Sequence, residues 1–292
     1  MPKRNYLQMF TDELRRREYS RGTIKEYQRE IMRFMTFISN KRITAVKKRD
    51  IDAFLSSLKC GSRAKNRTLS SLRSFFGYLK DAGIIEENPA KFVKMARIGN
   101  RRISFLTSLE YKTLIGVITE DDDGKDFLKM RNRCLMILLL VTGLRASEIT
   151  NVRLKNIVFD ERGANIDLMR KGGHIDRIYV NKRASILLKE YVERRREYSP
   201  ESEYLFISNN QKKLDRTMVY KIVRDAMKRS GIRKEKMSPH VLRHTFATIL
   251  IRNNVSLYKI KELLNHRSIT TTEKYLHVVE DDLKDAVETI DI

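Results

Sequence analysis

The sequence predicts a mainly α-helical protein, with an N-terminal helical bundle followed by an α+β domain that contains a small antiparallel β-sheet. Apolar residues recur at helical spacing through most of the chain. Short β-like runs appear between about 156 and 180, and a Lys-Gly-Gly turn signal separates two of them. With 292 residues, 41% of them hydrophobic, the chain is long enough for two cores.

The first 97 residues are predicted to be helical throughout and form the first domain. Thr23 and Glu26 have capping-box spacing, and an apolar stripe follows them at Ile24, Tyr27, Ile31, Phe34 and Ile38. This domain holds 23 Lys and Arg against 10 Asp and Glu, a net charge of +13 within a chain total of +23. Such a basic bundle is typical of DNA binding, and the alternative is a merely solvated basic surface.

A basic, glycine-containing stretch over residues 98–106 is interpreted as a linker that could cross a phosphate backbone. The second domain then covers 107–292. Thr107 and Glu110 form a second predicted capping box at its start.

Helices are expected in this second domain over about 107–119 and 128–141, where Thr142-Gly143 breaks the chain. The runs "NIVFD", "NIDLM" and "DRIYV" follow as strands, and the last two form a hairpin. After Lys182 the pattern is helical apart from a short apolar "YLFIS", and it ends in a tail helix over 278–292.

Composition limits the class of protein. The longest apolar run, 134–141, is too short to span a bilayer, and the N-terminus lacks an apolar signal segment. Cys60 and Cys134 are interpreted as reduced structural residues. We therefore expect a cytoplasmic protein that binds nucleic acid and no membrane.

Six residues of the second domain could act together at one site. Their residue types suit attack on a phosphodiester without metal or cofactor. Arginines bind phosphate oxygens bidentately, a lysine protonates a leaving alkoxide, histidines move protons, and a tyrosine hydroxyl attacks phosphorus. The candidates are Arg145, Lys171, His240, Arg243, His266 and Tyr275.

Each candidate also has an ordinary structural interpretation. Arg145 could simply pair with Glu148, and Lys171 could be a solvated turn residue. His240 and His244 have the spacing of a helical zinc pair, but Val241 replaces the glutamate that such a motif requires, so no metal is expected. His244 is interpreted as structural.

Three segments resemble the tyrosine recombinases, also called the phage integrase family. "TGLRASEI" is similar to the family's first arginine segment, and "HVLRHTFAT" to its H-x-x-R segment. "LLNHRSITTTEKYLHV" is similar to the final segment, with nine residues from histidine to tyrosine. The resemblance spans about 107–280, and the basic first domain resembles the family's SAM-like core-binding domain. The layout is most like the Xer branch, which resolves chromosome dimers at a short palindromic site.

The resemblance implies a role for each candidate. Arg145 and Arg243 would clamp the scissile phosphate, and Tyr275 would attack it to give a 3′-phosphotyrosine. Lys171 would be the general acid toward the 5′ oxygen, although its hairpin is one residue longer than the common form. His240 would assist proton transfer.

His266 would hydrogen-bond a phosphate oxygen. Asn265 precedes it where the family usually has glycine, and asparagine also tolerates the left-handed turn at a helix end.

The expected partners are double-stranded DNA with a short palindromic recombination site and further copies of the chain, as a tetramer on two sites. Residues 278–292 carry a net charge of −5 and could dock on a neighbouring subunit or on their own. Three alternatives stay open at this stage: an integrase or excisionase of a mobile element, a type IB topoisomerase, and a non-catalytic DNA-binding regulator.

Overall fold

The computed structural model describes residues 3–97, 99, 103–120, 126–169, 175–199, 201–265 and 275. The chain divides into two compact units, Met1–Arg101 and Arg102–Ile292. The predicted fold class is confirmed, since the described residues are mainly helical with one small antiparallel sheet. No helix in these described ranges is both long and apolar enough to cross a membrane.

The described residues of the first unit form four α-helices: α1 (Lys3–Arg16), α2 (Arg21–Phe37), α3 (Lys48–Ser57) and α4 (Ser62–Asp81). Their apolar faces meet in one core of mostly aromatic and aliphatic side chains, among which Ile31, Phe34, Leu72, Phe75 and Phe76 are fully buried. Aromatic contacts order this core. The Phe34 ring packs edge-to-face against Phe54 and Phe76, and its centroid lies 5.2 Å and 5.8 Å from theirs, respectively.

The capping box predicted from Thr23 to Glu26 is wrong. Helix α2 begins three residues earlier, where the Ser20 hydroxyl accepts a hydrogen bond from the Thr23 backbone N–H. Serine is a strong N-cap, so it takes the position that the sequence pattern assigned to Thr23. The Glu26 carboxylate instead pairs with Arg67 on α4 at 2.7 Å.

The second unit contains seven helices among its described residues: α5 (Ser108–Glu120), α6 (Phe127–Thr142), α7 (Ala146–Ile149), α8 (Lys182–Tyr198), α9 (Arg216–Arg229), α10 (Pro239–Arg252) and α11 (Leu257–Leu264). The apolar α6 is central, and α5, α8 and α10 pack against it. The predicted capping box at the start of α5 is confirmed, because Thr107 and Glu110 exchange side-chain-to-backbone hydrogen bonds.

The sheet consists of β1 (Ile157–Asp160), β2 (Gly163–Met169) and β3 (Ile175–Asn181), in that order and antiparallel. The register pairs Met169 with Ile175 at the predicted hairpin end. Lys171 belongs to the hairpin connection and lies outside the described residues, as do His266 and the predicted tail helix 278–292.

Candidate active site

Arg243 is a buried guanidinium held by main-chain carbonyls. It lies on α10, which begins after Ser238 with Pro239 in its first turn. Only 4% of Arg243 is exposed. Its Nη1 donates to the Gly143 carbonyl at 2.7 Å, and its Nη2 donates to the Leu264 carbonyl. The side chain therefore joins the ends of α6 and α11.

Gly143 is required where α6 ends. Its backbone is left-handed, with φ +63°, and it caps the helix by donating its N–H to the Leu139 carbonyl. A Cβ at this position would lie 2.6 Å from a ring carbon of Phe246 and 2.9 Å from a methyl of Leu264. The glycine in "TGLRASEI" thus makes the backbone turn and also provides the carbonyl that accepts a hydrogen bond from Arg243.

Arg145 follows this turn and is the N-cap residue of α7. The Glu148 carboxylate accepts from the Arg145 backbone N–H at 2.8 Å and from its Nη1 at 2.6 Å. Glu148 is 9% exposed and also lies 4.0 Å from Nη1 of Arg243. One buried carboxylate therefore lies beside both arginines, and the pairing of Arg145 with Glu148 that the sequence suggested is present.

Tyr275 lies with its ring buried against α10 and α11, and only 2% of the residue is exposed. Its hydroxyl is 2.7 Å from Nδ1 of His244. His244 is four residues beyond His240 on α10, and His240 itself is exposed. The residue interpreted as structural therefore contacts the predicted nucleophile.

The electrostatics of the site follow from burial and from the two arginines. Burial raises the pKa of Tyr275, while the charges of Arg243 and Arg145 act in the opposite direction. Desolvation and the same two arginines lower the pKa of His240. Desolvation, then His240 and Arg243, lower the pKa of His244 to about 4. Both imidazoles are thus held in the neutral form near pH 7.

The structure brings Arg145, His240, Arg243 and Tyr275 into one neighbourhood, since the charges of both arginines act on His240 and Tyr275. The addition to the predicted set is His244. Its sequence signal was its position, one residue after Arg243 and one helical turn after His240.

Asn265 forms the left-handed end of α11, with φ +50° and ψ +56°, as the sequence predicts. Its side-chain amide also donates a hydrogen bond to the carboxylate of Asp176 on β3. The asparagine therefore connects the end of α11 to the strand that follows the Lys171 hairpin, a link that glycine would lack.

Comparison with known proteins identifies the family. The sequence profile described as "Phage integrase family" matches residues 104–281. The chain belongs to the phage integrase family. The family's N-terminal SAM-like domain matches residues 7–83, in the basic first unit.

Whole-length relatives are tyrosine recombinases. A tyrosine recombinase of Thermosipho africanus is 32% identical, covering 97% of this chain and 99% of the relative. Tyrosine recombinase XerC of Listeria monocytogenes is 31% identical, covering 95% and 94%. This chain is accordingly a site-specific tyrosine recombinase, an enzyme that cleaves and rejoins DNA.

Solved recombinases share the fold. The XerH recombinase bound to palindromic difH substrate superposes with a TM-score of 0.80 at 22% identity, covering 96% of this chain and 84% of that one. A lambda integrase dimer bound to a core site gives 0.73 at 20% identity, covering 94% and 95%.

Proposed function

We propose that this recombinase uses Tyr275 as its nucleophile and forms a 3′-phosphotyrosine intermediate without metal or cofactor. The observation that carries the proposal is the arrangement around Glu148, where two arginines share one buried carboxylate and both act electrostatically on Tyr275. A phosphodiester placed against Arg145 and Arg243 would receive guanidinium hydrogen bonds on its non-bridging oxygens. These contacts would stabilise the charge of a five-coordinate transition state.

The remaining candidates position the phosphate or move protons in this scheme. The Tyr275 oxygen forms a bond to phosphorus, and the bond from phosphorus to the 5′ oxygen breaks. Lys171 gives a proton to the departing 5′ oxygen, and His266 donates a hydrogen bond to a phosphate oxygen. His240, exposed beside the arginines, orients the phosphate and assists proton transfer.

We also propose an Xer-like role, the resolution of chromosome dimers in the cytoplasm. Support comes from the whole-length similarity to XerC proteins. In this proposal residues 1–97 grip DNA through their +13 net charge, residues 98–106 link them to the catalytic domain 107–292, and four subunits act on two short palindromic sites. The acidic tail 278–292 would pass from one subunit to the next in a closed ring.

A nicked suicide substrate tests the nucleophile. Its short cleaved strand diffuses away, so the covalent protein–DNA adduct accumulates and survives denaturant. The wild-type protein should form the adduct in the presence of a metal chelator, and Tyr275→Phe should form none. Tyr258→Phe is the matched control, because Tyr258 is exposed on α11 and should keep full activity. An adduct persisting in Tyr275→Phe would refute the assignment.

The DNA in the adduct identifies the target. Trapping the adduct in cells and sequencing the attached DNA should return one palindromic chromosomal site. Recovery of the ends of a mobile element would instead assign the protein to integration or excision.

A further inference from the structure

His244 is the histidine that contacts the proposed nucleophile directly. Its Nδ1 lies 2.7 Å from the Tyr275 hydroxyl oxygen, and the two rings are tilted by 56° with centroids 5.5 Å apart. We propose that His244 is a catalytic residue that accepts the phenolic proton of Tyr275 as the tyrosine attacks phosphorus. The inference rests on the proposed function, since it requires Tyr275 to be the nucleophile.

The hydrogen bond has the geometry that this proton transfer needs. A general base must lie about 2.6–3.2 Å from the atom that it deprotonates. With the ring proton on Nε2, the Nδ1 lone pair accepts the hydrogen bond from the Tyr275 O–H. Because Tyr275 is 2% exposed, water has little access to its hydroxyl, and His244 replaces water as the acceptor.

The bonds and protons of this step balance without a further reactant. The O–H bond of Tyr275 breaks and its proton moves to His244 Nδ1, while the phenolic oxygen bonds to phosphorus. The 5′ oxygen leaves with its electron pair and receives a proton from Lys171. In the rejoining direction the imidazolium of His244 returns its proton to the departing phenolate of Tyr275.

The electrostatic setting matches this cycle. Burial, His240 and Arg243 keep His244 neutral near pH 7, so its acceptor lone pair is available before DNA binds. A scissile phosphate would add negative charge beside Arg243 and offset part of the positive field at His244. A base becomes stronger as its pKa rises toward the working pH, so substrate binding would activate His244 at the moment of attack.

Two substitutions separate proton transfer from positioning. In His244→Asn the side-chain oxygen still accepts a hydrogen bond from Tyr275 but cannot hold the proton, whereas His244→Phe removes the hydrogen bond as well. Single-turnover adduct formation on the suicide substrate should fall about 100-fold or more in both variants, the range expected for loss of a general base. DNA affinity should stay within about threefold of wild type, because basic residues elsewhere supply most of it.

A second substrate shows whether a variant slows deprotonation of the nucleophile or protonation of the leaving group. A 5′-bridging phosphorothiolate has a sulfur leaving group that departs as a thiolate and needs no general acid. It should rescue Lys171→Ala but leave His244→Asn slow, since the nucleophile still has to be deprotonated. His244→Ala provides a further variant, in which added imidazole should restore part of the rate.

Three results would overturn the proposal. Near-wild-type cleavage by His244→Asn would reduce His244 to a positioning residue. Rescue of His244→Asn by the phosphorothiolate substrate would show that the histidine acts on the leaving group. Failure of imidazole to restore activity in folded His244→Ala would show that His244 is not the base. If wild-type protein itself forms no adduct, the proposed function fails rather than the assignment of His244.

Discussion

The guanidinium of Arg243 donates a 2.7 Å hydrogen bond to the carbonyl of Gly143, a residue 100 positions earlier in the chain. The same guanidinium contacts the Leu264 carbonyl, so it fastens the ends of α6 and α11 to α10. The buried charge is balanced by main-chain dipoles and by Glu148 at 4.0 Å. A phosphate would therefore meet an arginine whose position is already fixed, which lowers the cost of organising the site.

The Gly143 turn should be intolerant of any side chain. Gly143→Ala combines left-handed strain with a Cβ placed 2.6 Å from Phe246, and overlap with packed side chains costs about 1–3 kcal/mol beyond the strain. We expect a loss of about 2–4 kcal/mol in the free energy of unfolding, measured by urea denaturation.

Gly231→Ala is the matched control for this substitution. Gly231 lies in the same unit at φ +68°, but no atom beyond its own chain neighbours lies within 4 Å of its added Cβ. The Gly231→Ala variant should lose only about 1 kcal/mol in the free energy of unfolding, because only the left-handed backbone disfavours alanine there. Equal losses at the two glycines would show that packing against Phe246 and Leu264 is unimportant.

Asn265 should serve two separable purposes, the left-handed backbone and the bond to Asp176. Asn265→Gly keeps the left-handed turn and loses the hydrogen bond to Asp176. Asn265→Ala loses the same bond and lowers the free energy of unfolding by about 1 kcal/mol more, because alanine is strained in the left-handed conformation. Thermal unfolding should rank alanine as the less stable of the two.

Cleavage rates give the second readout at Asn265. Both variants should cleave more slowly than wild type, because α11 and β3 would be less firmly connected next to the Lys171 hairpin. Wild-type cleavage by Asn265→Gly would show that the Asp176 bond is dispensable.

The buried Glu30 should make the first unit sensitive to acid. Its carboxylate accepts hydrogen bonds from Thr68 at 2.9 Å and from Arg29 and Arg33. Burial by itself would raise the pKa of Glu30, but the bonds from Arg29 and Thr68 and the two arginine charges lower it overall. A carboxylate with a lowered folded pKa stabilises the protein above its unfolded pKa of about 4.3.

That stabilisation should disappear as the pH falls below about 4.3 and through the lower folded value. Amide hydrogen exchange in α2 and α4, followed at several pH values, measures it within the full chain. Glu30→Gln should flatten this dependence in the first unit only. Glu161→Gln, at an exposed turn residue of the second unit, is the control, and an unchanged acid response in Glu30→Gln would contradict the role of Glu30.

The sequence by itself determined the elements and the motif residues. Helical and strand periods, the Thr107–Glu110 cap, the chain break at Gly143 and the left-handed turn at Asn265 depend on neighbours within a few positions, so local patterns predict them. The capping error at Thr23 shows the limit of such patterns, since Ser20 offers the same chemistry one turn earlier.

Only the tertiary structure decided which polar groups meet. His244 and Tyr275 are 31 residues apart, Arg243 and Gly143 are 100 apart, and Asn265 and Asp176 are 89 apart. These contacts require helices and a strand to pack at particular angles, and buried donors must then find acceptors wherever packing brings them. The sequence therefore predicted the residue types of the site, while packing selected the histidine that contacts the tyrosine.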